Sequence, residues 1–161
     1  MDVTLEIKNK PVVLDEGLNE EEMEVTEFQF VIEELSQYST GSIFLSFDND
    51  KEVILDLFYD FLVCYDDIVE SMKLAKNKTA HKDEIWFCEQ GSDFYFLYEI
   101  KGDSFILEYK KGSDVGLPNK TKKEFKVEVH VDEYFSKWCV IFDELSLAFK
   151  GKLGKDISFK F

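Results

Sequence analysis

The stretch from residue 83 to residue 112, DEIWFCEQGSDFYFLYEIKGDSFILEYKKG, constrains the fold more than any other part of the chain. It contains three apolar runs, at 85–88, 94–100 and 105–109, and two short polar turns separate them. Each turn contains a glycine, which tolerates the positive φ that tight hairpin turns need. Apolar runs joined by such turns are typical of an antiparallel meander. The stretch therefore predicts three consecutive antiparallel strands.

Alternation of apolar and polar residues predicts further strands on both sides of this meander. They cover residues 3–7, 25–32, 43–47, 53–57, 125–131 and 157–161. The runs at 43–47 and 53–57 are expected to pair as a hairpin, and an alternative keeps the chain helical from Glu52 onward. Loops are expected at 36–42 and 112–123, where glycine and small polar residues cluster.

Two segments show a helical period instead. Residues 61–72 place apolar side chains on one face of an amphipathic helix, which we expect to begin near Asp60, a favourable N-cap residue. In the second segment, 135–149, apolar residues recur at steps of three and four, and Asp132 is the expected cap. The 161 residues, 45% of them hydrophobic, suit one α+β domain. We expect an antiparallel sheet of about six strands with these two helices packed on it.

The net charge of −15 is concentrated in one part of the chain. Residues 15–70 contain 17 acidic residues and one lysine, whereas residues 71–161 contain 15 acidic residues and 16 lysines. The chain contains no arginine, so it lacks the bidentate guanidinium groups that clamp phosphates. A concentrated negative field repels nucleic acids and membrane surfaces and attracts basic molecules. We therefore expect a basic protein partner and no direct binding to nucleic acid or membranes.

Aromatic side chains lie among these carboxylates, and aromatic residues are enriched at protein–protein interfaces. A run of acidic residues is often only a solvated surface, but lysine is almost absent here although it is abundant in the rest of the chain. The residues that we expect to bind the partner are Glu20, Glu21, Glu22, Asp48, Asp50, Asp56, Tyr59, Asp60, Tyr65, Asp66, Asp67 and Glu70.

The sequence contains no pattern of a catalytic or metal site. Its two histidines, His81 and His130, have no Cys, Asp or Glu partner at a recognisable ligand or triad spacing. Residues 48–59 begin like a calcium loop, but Val53 and Tyr59 occupy the positions that require glycine and glutamate. Glycine-rich phosphate-binding motifs are absent as well. We expect no enzymatic activity, no cofactor and no metal ion.

The cysteines and the apolar runs bear on location. Cys64, Cys88 and Cys139 are far apart in sequence and lie within apolar runs, so we expect them to be buried and unpaired. No run of about 18 apolar residues exists, and residues 1–10 lack the features of a secretory signal. These patterns predict a cytoplasmic protein.

The order hairpin, helix, meander, strand and helix across residues 42–149 resembles that of bacterial immunity proteins of polymorphic toxin systems. The segments EIWFCEQGSDFYFLYEIKGDSFILEYKKG and FKVEVHVDEYFSKWCVIFDELSLAF, in an acidic chain, carry the resemblance. It implies an inhibitor that binds and neutralises a cognate toxin domain, often a nuclease, through an acidic surface. It implies no catalytic residues.

Two other functions are compatible with the sequence. A phage-type inhibitor that mimics nucleic acid would occupy the groove of a restriction or guided nuclease, and its carboxylates would be spaced like phosphates. A small-ligand binding domain would have a concave aromatic cavity with convergent polar groups.

Overall fold

The computed structural model describes residues 1–19, 25–48, 50–89, 91–159 and 161 of the chain. Its elements are β1 (Asp2–Asn9), α1 (Glu27–Ser36), β2 (Ser39–Asp48), β3 (Lys51–Asp56), a π-helical turn (Leu57–Phe61), α2 (Tyr65–Lys76), β4 (His81–Phe87), β5 (Phe94–Lys101), β6 (Ser104–Lys111), a short 3₁₀ turn (Asn119–Thr121), β7 (Phe125–His130) and α3 (Val131–Leu153). The class is α+β, as predicted. The described strands form two antiparallel sheets, β1-β2-β3 and β4-β5-β6-β7, rather than one sheet of about six strands.

The predicted meander is confirmed as β4, β5 and β6, each paired antiparallel with the next. The hairpin of β2 and β3 is also confirmed, so the helical alternative from Glu52 is wrong. The loop expected at 36–42 is shorter than predicted, because β2 already begins at Ser39. Gly41 lies inside β2, where a Cβ atom would meet the Leu57 side chain at 2.5 Å. This glycine therefore permits a close approach within a strand and does not mark a loop.

The strand predicted at 25–32 is wrong, because α1 occupies most of this segment. Thr26 caps the helix: its hydroxyl accepts a hydrogen bond from the Gln29 backbone N–H at 3.2 Å, and the Gln29 side-chain oxygen accepts one from the Thr26 backbone N–H at 2.9 Å. These two bonds satisfy N–H groups that a helix start leaves free. The aromatic alternation of Phe28 and Phe30 resembles a strand, but the capping box and the buried helical face favour the helix.

The first predicted helix, at 61–72, begins later than expected. Asp56, not Asp60, acts as the cap: its Oδ1 accepts hydrogen bonds from the backbone N–H groups of Phe58 (2.8 Å) and Tyr59 (3.1 Å) at the start of the π-helical turn. The regular helix α2 then starts at Tyr65. Asp60 is consequently placed inside the turn, where its side chain is buried.

The helix predicted at 135–149 is confirmed within α3, which is longer at both ends. His130 caps it through Nδ1, which accepts from the Asp132 backbone N–H at 3.3 Å, so the prediction of Asp132 as the cap is wrong. Gly154, at φ 69°, ends the helix in the left-handed conformation that glycine favours. Residues 157–159 are not a strand. The terminal aromatic rings instead pack on the ring of Phe142 in α3.

Helix α3 is the centre of the fold, because it contacts α1, α2, β1, β6 and β7. Its Trp138 ring stacks on the Phe61 ring at a centroid distance of 6.0 Å. The Tyr134 hydroxyl and the Ser71 hydroxyl of α2 share a hydrogen bond of 2.7 Å. One apolar core contains residues of both sheets and all three helices. None of the helices in the described ranges is long and apolar enough to cross a membrane.

The loop between β6 and β7 is fixed to the edge of the first sheet by Asn119, which is only 3% exposed. Its Oδ1 accepts from the Ile54 backbone N–H at 3.0 Å, and its Nδ2 donates to the Ile54 carbonyl at 2.6 Å. The amide therefore satisfies both backbone groups of one residue on edge strand β3. This places the neighbouring Leu117 and Pro118 beside the end of that strand.

We expect Asn119→Ala to lower the free energy of unfolding by about 1–3 kcal/mol, because both Ile54 backbone groups lose their partner. Urea denaturation followed by circular dichroism measures the loss. Thr121→Ala, which removes an exposed and long hydrogen bond in the same turn, is the control and should change stability little. Equal stability of the Asn119→Ala variant and the wild type would contradict this role of the amide.

Candidate functional site

The predicted partner-binding residues fall into separate groups in the structure. Glu20, Glu21 and Glu22 lie outside the described residues. Asp48 and Asp50 lie at the turn between β2 and β3, where Asp48 forms an exposed ion pair with Lys51 at 3.0 Å. The length of β3 separates this turn from Asp56 by about 20 Å. The structure therefore does not bring the hairpin carboxylates together with those that follow β3.

Asp60 is an unusual carboxylate, because it is 4% exposed and the described residues supply a hydrogen-bond donor to only one of its oxygens. Oδ2 accepts from the Asp56 backbone N–H at 2.9 Å, whereas Oδ1 is buried without a hydrogen-bond partner among the described residues. Burial raises the pKa of Asp60 above its ordinary value, and the negative charges of Asp56 and Glu89 act in the same direction. The Ser92 hydroxyl approaches the carboxyl group closely enough to oppose this effect, but it does not satisfy Oδ1.

A cavity of about 330 Å³ opens beside this carboxyl group. Asp60, Glu89, Ser92 and the exposed ring of Tyr59 contribute to its wall, and Leu117 from the loop that Asn119 holds closes one side. A second cavity, of about 400 Å³, shares Asp56, Tyr59 and Glu89 with the first. The two cavities thus border the same three side chains.

The loop wall of the first cavity is docked on the turn between β4 and β5. The Gly116 backbone N–H donates to the Gly91 carbonyl at 2.7 Å, and the Gly112 backbone N–H donates to the Asp93 carbonyl at 2.7 Å. A Cβ atom on Gly112 would lie about 2.1 Å from the Asp93 carboxylate, so only glycine allows this approach. Four separate chain segments therefore line the cavity, because Ser42 of β2 also contributes to its wall.

The exposed carboxylates of α2 lie next to this region. Burial raises the pKa of Asp67, and the charges of Asp66 and of Asp83 on β4 raise it further. The buried Cys64 thiol lies near the carboxylates of both segments. Burial raises its pKa to about 12, and the negative charges of Asp67, Asp60 and, more weakly, Glu89 raise it further. Carboxylates from 56–70 and from 83–89 are therefore neighbours in space. We call them the acidic face, which consists of Asp56, Asp60, Asp66, Asp67, Glu70, Asp83 and Glu89.

Tyr59 and Val63, on or beside the acidic face, are about half exposed. Trp86 is equally exposed, but strand alternation places its ring on the outer face of the second sheet, on the opposite side of β4 from Ile85 and Phe87. The indole of Trp86 stacks on Tyr95 at a centroid distance of 5.8 Å, and its Nε1 donates to the Asp93 carboxylate at 3.3 Å. Tyr65 was predicted to belong to this surface, but its ring stacks on Phe28 at 4.2 Å within the aromatic core. We therefore assign Tyr65 to the packing of α1 against α2.

Sequence reasoning missed Asp83, Trp86 and Glu89. They lie in the part of the chain where lysines balance the acidic residues, so the charge count did not single them out. The exposure of Trp86 can be predicted from the alternation of side chains along a strand, because its neighbours Ile85 and Phe87 are buried on the opposite face.

The cysteines and histidines differ partly from expectation. Cys64 is buried and donates from Sγ to the Trp86 carbonyl at 3.3 Å, whereas Cys88 is exposed and Cys139 partly exposed, so the prediction that all three are buried is wrong. Cys88 is exposed because it follows the end of β4. Within the described ranges, no three His, Cys, Asp or Glu side chains are grouped to hold a metal ion.

The raised pKa of Asp60 predicts the effect of Asp60→Asn on stability. In the unfolded chain the carboxyl group titrates near 3.8. As the pH rises from this value through the higher folded-state pKa, the folded protein must lose a proton that it holds more tightly, so ionised Asp60 lowers the stability at pH 7. Asparagine removes this cost and keeps an acceptor for the Asp56 N–H. We expect the Asp60→Asn variant to be more stable than the wild type at pH 7, with a difference that shrinks toward pH 3.8.

Denaturation curves at pH 4 and pH 7 measure this difference. Asp48→Asn, at an exposed carboxylate, is the matched control and should give no such gain at pH 7. A loss of stability in the Asp60→Asn variant that grows from pH 4 to pH 7 would show that the ionised carboxylate is a favourable part of the fold.

A search of protein-family models, of curated proteins and of solved structures finds no match to this chain.

Proposed function

We propose that this chain is an immunity-type inhibitor that acts in the cytoplasm, where it binds a basic toxin domain through the acidic face and blocks it. One observation carries the proposal: carboxylates from two segments that are distant in sequence lie together with exposed aromatic and apolar side chains. Such a surface supplies both parts of a protein interface, a field that steers a basic partner and rings that pack against it.

The outer face of the second sheet is a useful comparison. There the Glu108 carboxylate lies 3.1 Å from the Lys110 ammonium group and 4.0 Å from that of Lys126, so its negative charge is compensated within the chain. On the acidic face, burial raises the pKa values of Asp60 and Asp67, and neighbouring negative charges raise them further. Uncompensated charge is what a basic partner would neutralise.

The test begins with the tagged chain, recovered from its own cells at low salt and examined by native mass spectrometry. We expect a 1:1 complex with a protein of high isoelectric point. Titration of the purified partner with the chain should then abolish the partner's toxic or enzymatic activity at one equivalent. Recovery of the chain without a stoichiometric protein partner, or a partner that stays fully active when saturated, would refute the proposal.

A nucleic-acid mimic would give a different result in the same experiment. Its partner would release DNA of any sequence as the chain binds, and a fluorescent duplex added to the complex would compete with the chain. A toxin whose active site is blocked by contacts outside a nucleic-acid groove would show no such competition.

A further inference from the structure

The first cavity is lined by a side chain that has a buried, unpaired acceptor. Asp60 lines it, and Oδ1 of this nine-tenths buried side chain has no hydrogen-bond partner among the described residues. A buried, unpaired carboxylate oxygen is unfavourable, because it has lost water without gaining a donor. The arrangement is therefore suited to a donor that arrives with a ligand.

The chemistry of the wall indicates which donor fits. In the part of the chain that the structure describes, Asp56 and Glu89 are the other charged groups that line the cavity, and both are acidic. The remaining residues that line the cavity are uncharged, namely Ser42, Ile54, Tyr59, Ser92, Leu117 and Pro118. A cation with several N–H donors would satisfy Oδ1, and its charge would be balanced by the surrounding carboxylates.

We propose that this cavity accepts the cationic side chain of a lysine or arginine of the partner protein, with Asp60 as its principal acceptor and Tyr59 packed along its aliphatic part. The inference rests on the proposed function, because it names the part of the basic partner that enters the acidic face. A protein side chain fits better than a free amine, since the cavity lies within a surface that also offers Tyr59 and Val63 for wider contact.

The interaction has a defined pH dependence. Asp60 binds the cation in its ionised form, and its pKa is raised by burial and by Asp56 and Glu89. Lowering the pH therefore returns a proton to Asp60 and weakens binding, and the loss begins at a higher pH than for an ordinary aspartate. The same cation must hold Asp60 ionised, so the complex should have a lower Asp60 pKa than the free protein.

The probe is the tripeptide acetyl-Gly-Lys-Gly-amide, titrated into ¹⁵N- and ¹³C-labelled protein at pH 7 and followed by NMR. We expect saturable shifts at Tyr59, Asp60 and Ser92 and a fall in the Asp60 carboxyl pKa. Affinity should drop at least about tenfold in Asp60→Asn and also fall in Glu89→Gln. It should be unchanged in Asp48→Asn, which removes one negative charge at the distant hairpin turn.

Three outcomes would overturn the inference: shifts that do not saturate, shifts that are equal in Asp60→Asn and Asp48→Asn, or saturable binding of butylammonium or calcium without binding of the tripeptide. The last outcome assigns the cavity to a free amine or a metal ion. Failure of this inference differs from failure of the proposed function. If the partner binds wild type and Asp60→Asn equally, the cavity is not used, and inhibition through the acidic face still stands. If the tripeptide binds but no protein partner exists, the cavity does bind a lysine side chain and the proposed function is wrong.

Discussion

The variant Asp67→Lys/Glu70→Lys should associate with the basic partner at least about tenfold more slowly than the wild type at low salt. Both side chains are exposed on α2, so the substitution changes the field of the acidic face without removing core contacts. Because the field accelerates association and salt screens it, raising the salt should slow the wild type more than the variant. Stopped-flow tryptophan fluorescence at about 20 mM and about 300 mM salt measures both effects.

The matched control is Asp48→Lys/Asp50→Lys, which changes the net charge by the same amount about 20 Å from the acidic face. We expect its association rate to lie close to that of the wild type. Asp67 also lies in the first turn of α2, where an acidic side chain favours the helix by about 0.3–1 kcal/mol. Circular dichroism must therefore show that both variants are folded. Equal slowing by the two variants would mean that net charge, and not this face, determines association.

Trp138→Ala should lower the free energy of unfolding by about 3–5 kcal/mol, a large part of the stability of an ordinary domain. The indole is 2% exposed and stacks on Phe61, the last residue of the π-helical turn that carries Asp60. Loss of this ring removes contacts between α3 and the turn, and the surrounding structure can fill the space only in part. The substitution therefore weakens the support of the candidate site together with the core.

Urea denaturation of the wild type and the Trp138→Ala variant measures this loss. Leu147→Ala is the control, because Leu147 lies on the same helix and is 70% exposed. Its effect should stay within about 0.5 kcal/mol, as for most surface substitutions. A Trp138→Ala variant that is as stable as the control would show that α3 does not organise the core around this ring.

The parts of the fold that the sequence predicts are those in which local period and burial agree. The meander alternates inward and outward side chains with glycine in its turns, and the long stripe of α3 repeats at helical steps. In α1 the two signals conflict, because Phe28 and Phe30 alternate like strand residues. The pair of Thr26 and Gln29 shows the helix start, and this capping signal is present in the sequence.

The candidate site is predictable only in part, for a physical reason. Asp56, Asp60 and Asp67 are close in sequence and stand out as uncompensated acidic residues. Glu89 joins them because the chain that follows β4 lies beside the π-helical turn, a tertiary relation that local pattern does not contain. The buried state of Asp60 likewise depends on the π-helical turn, since a regular helix from residue 60 would have left its carboxylate exposed as a cap.

The most direct test of the proposed function is hydrogen exchange of the backbone amides in the free chain and in the complex with its basic partner. We predict protection on binding in the π-helical turn, in α2 and in residues 83–92. We predict unchanged exchange at the hairpin turn of Asp48 and on β6 and β7. Protection confined to those latter regions would contradict binding through the acidic face, and it would move the interface to the hairpin or to the outer face of the second sheet.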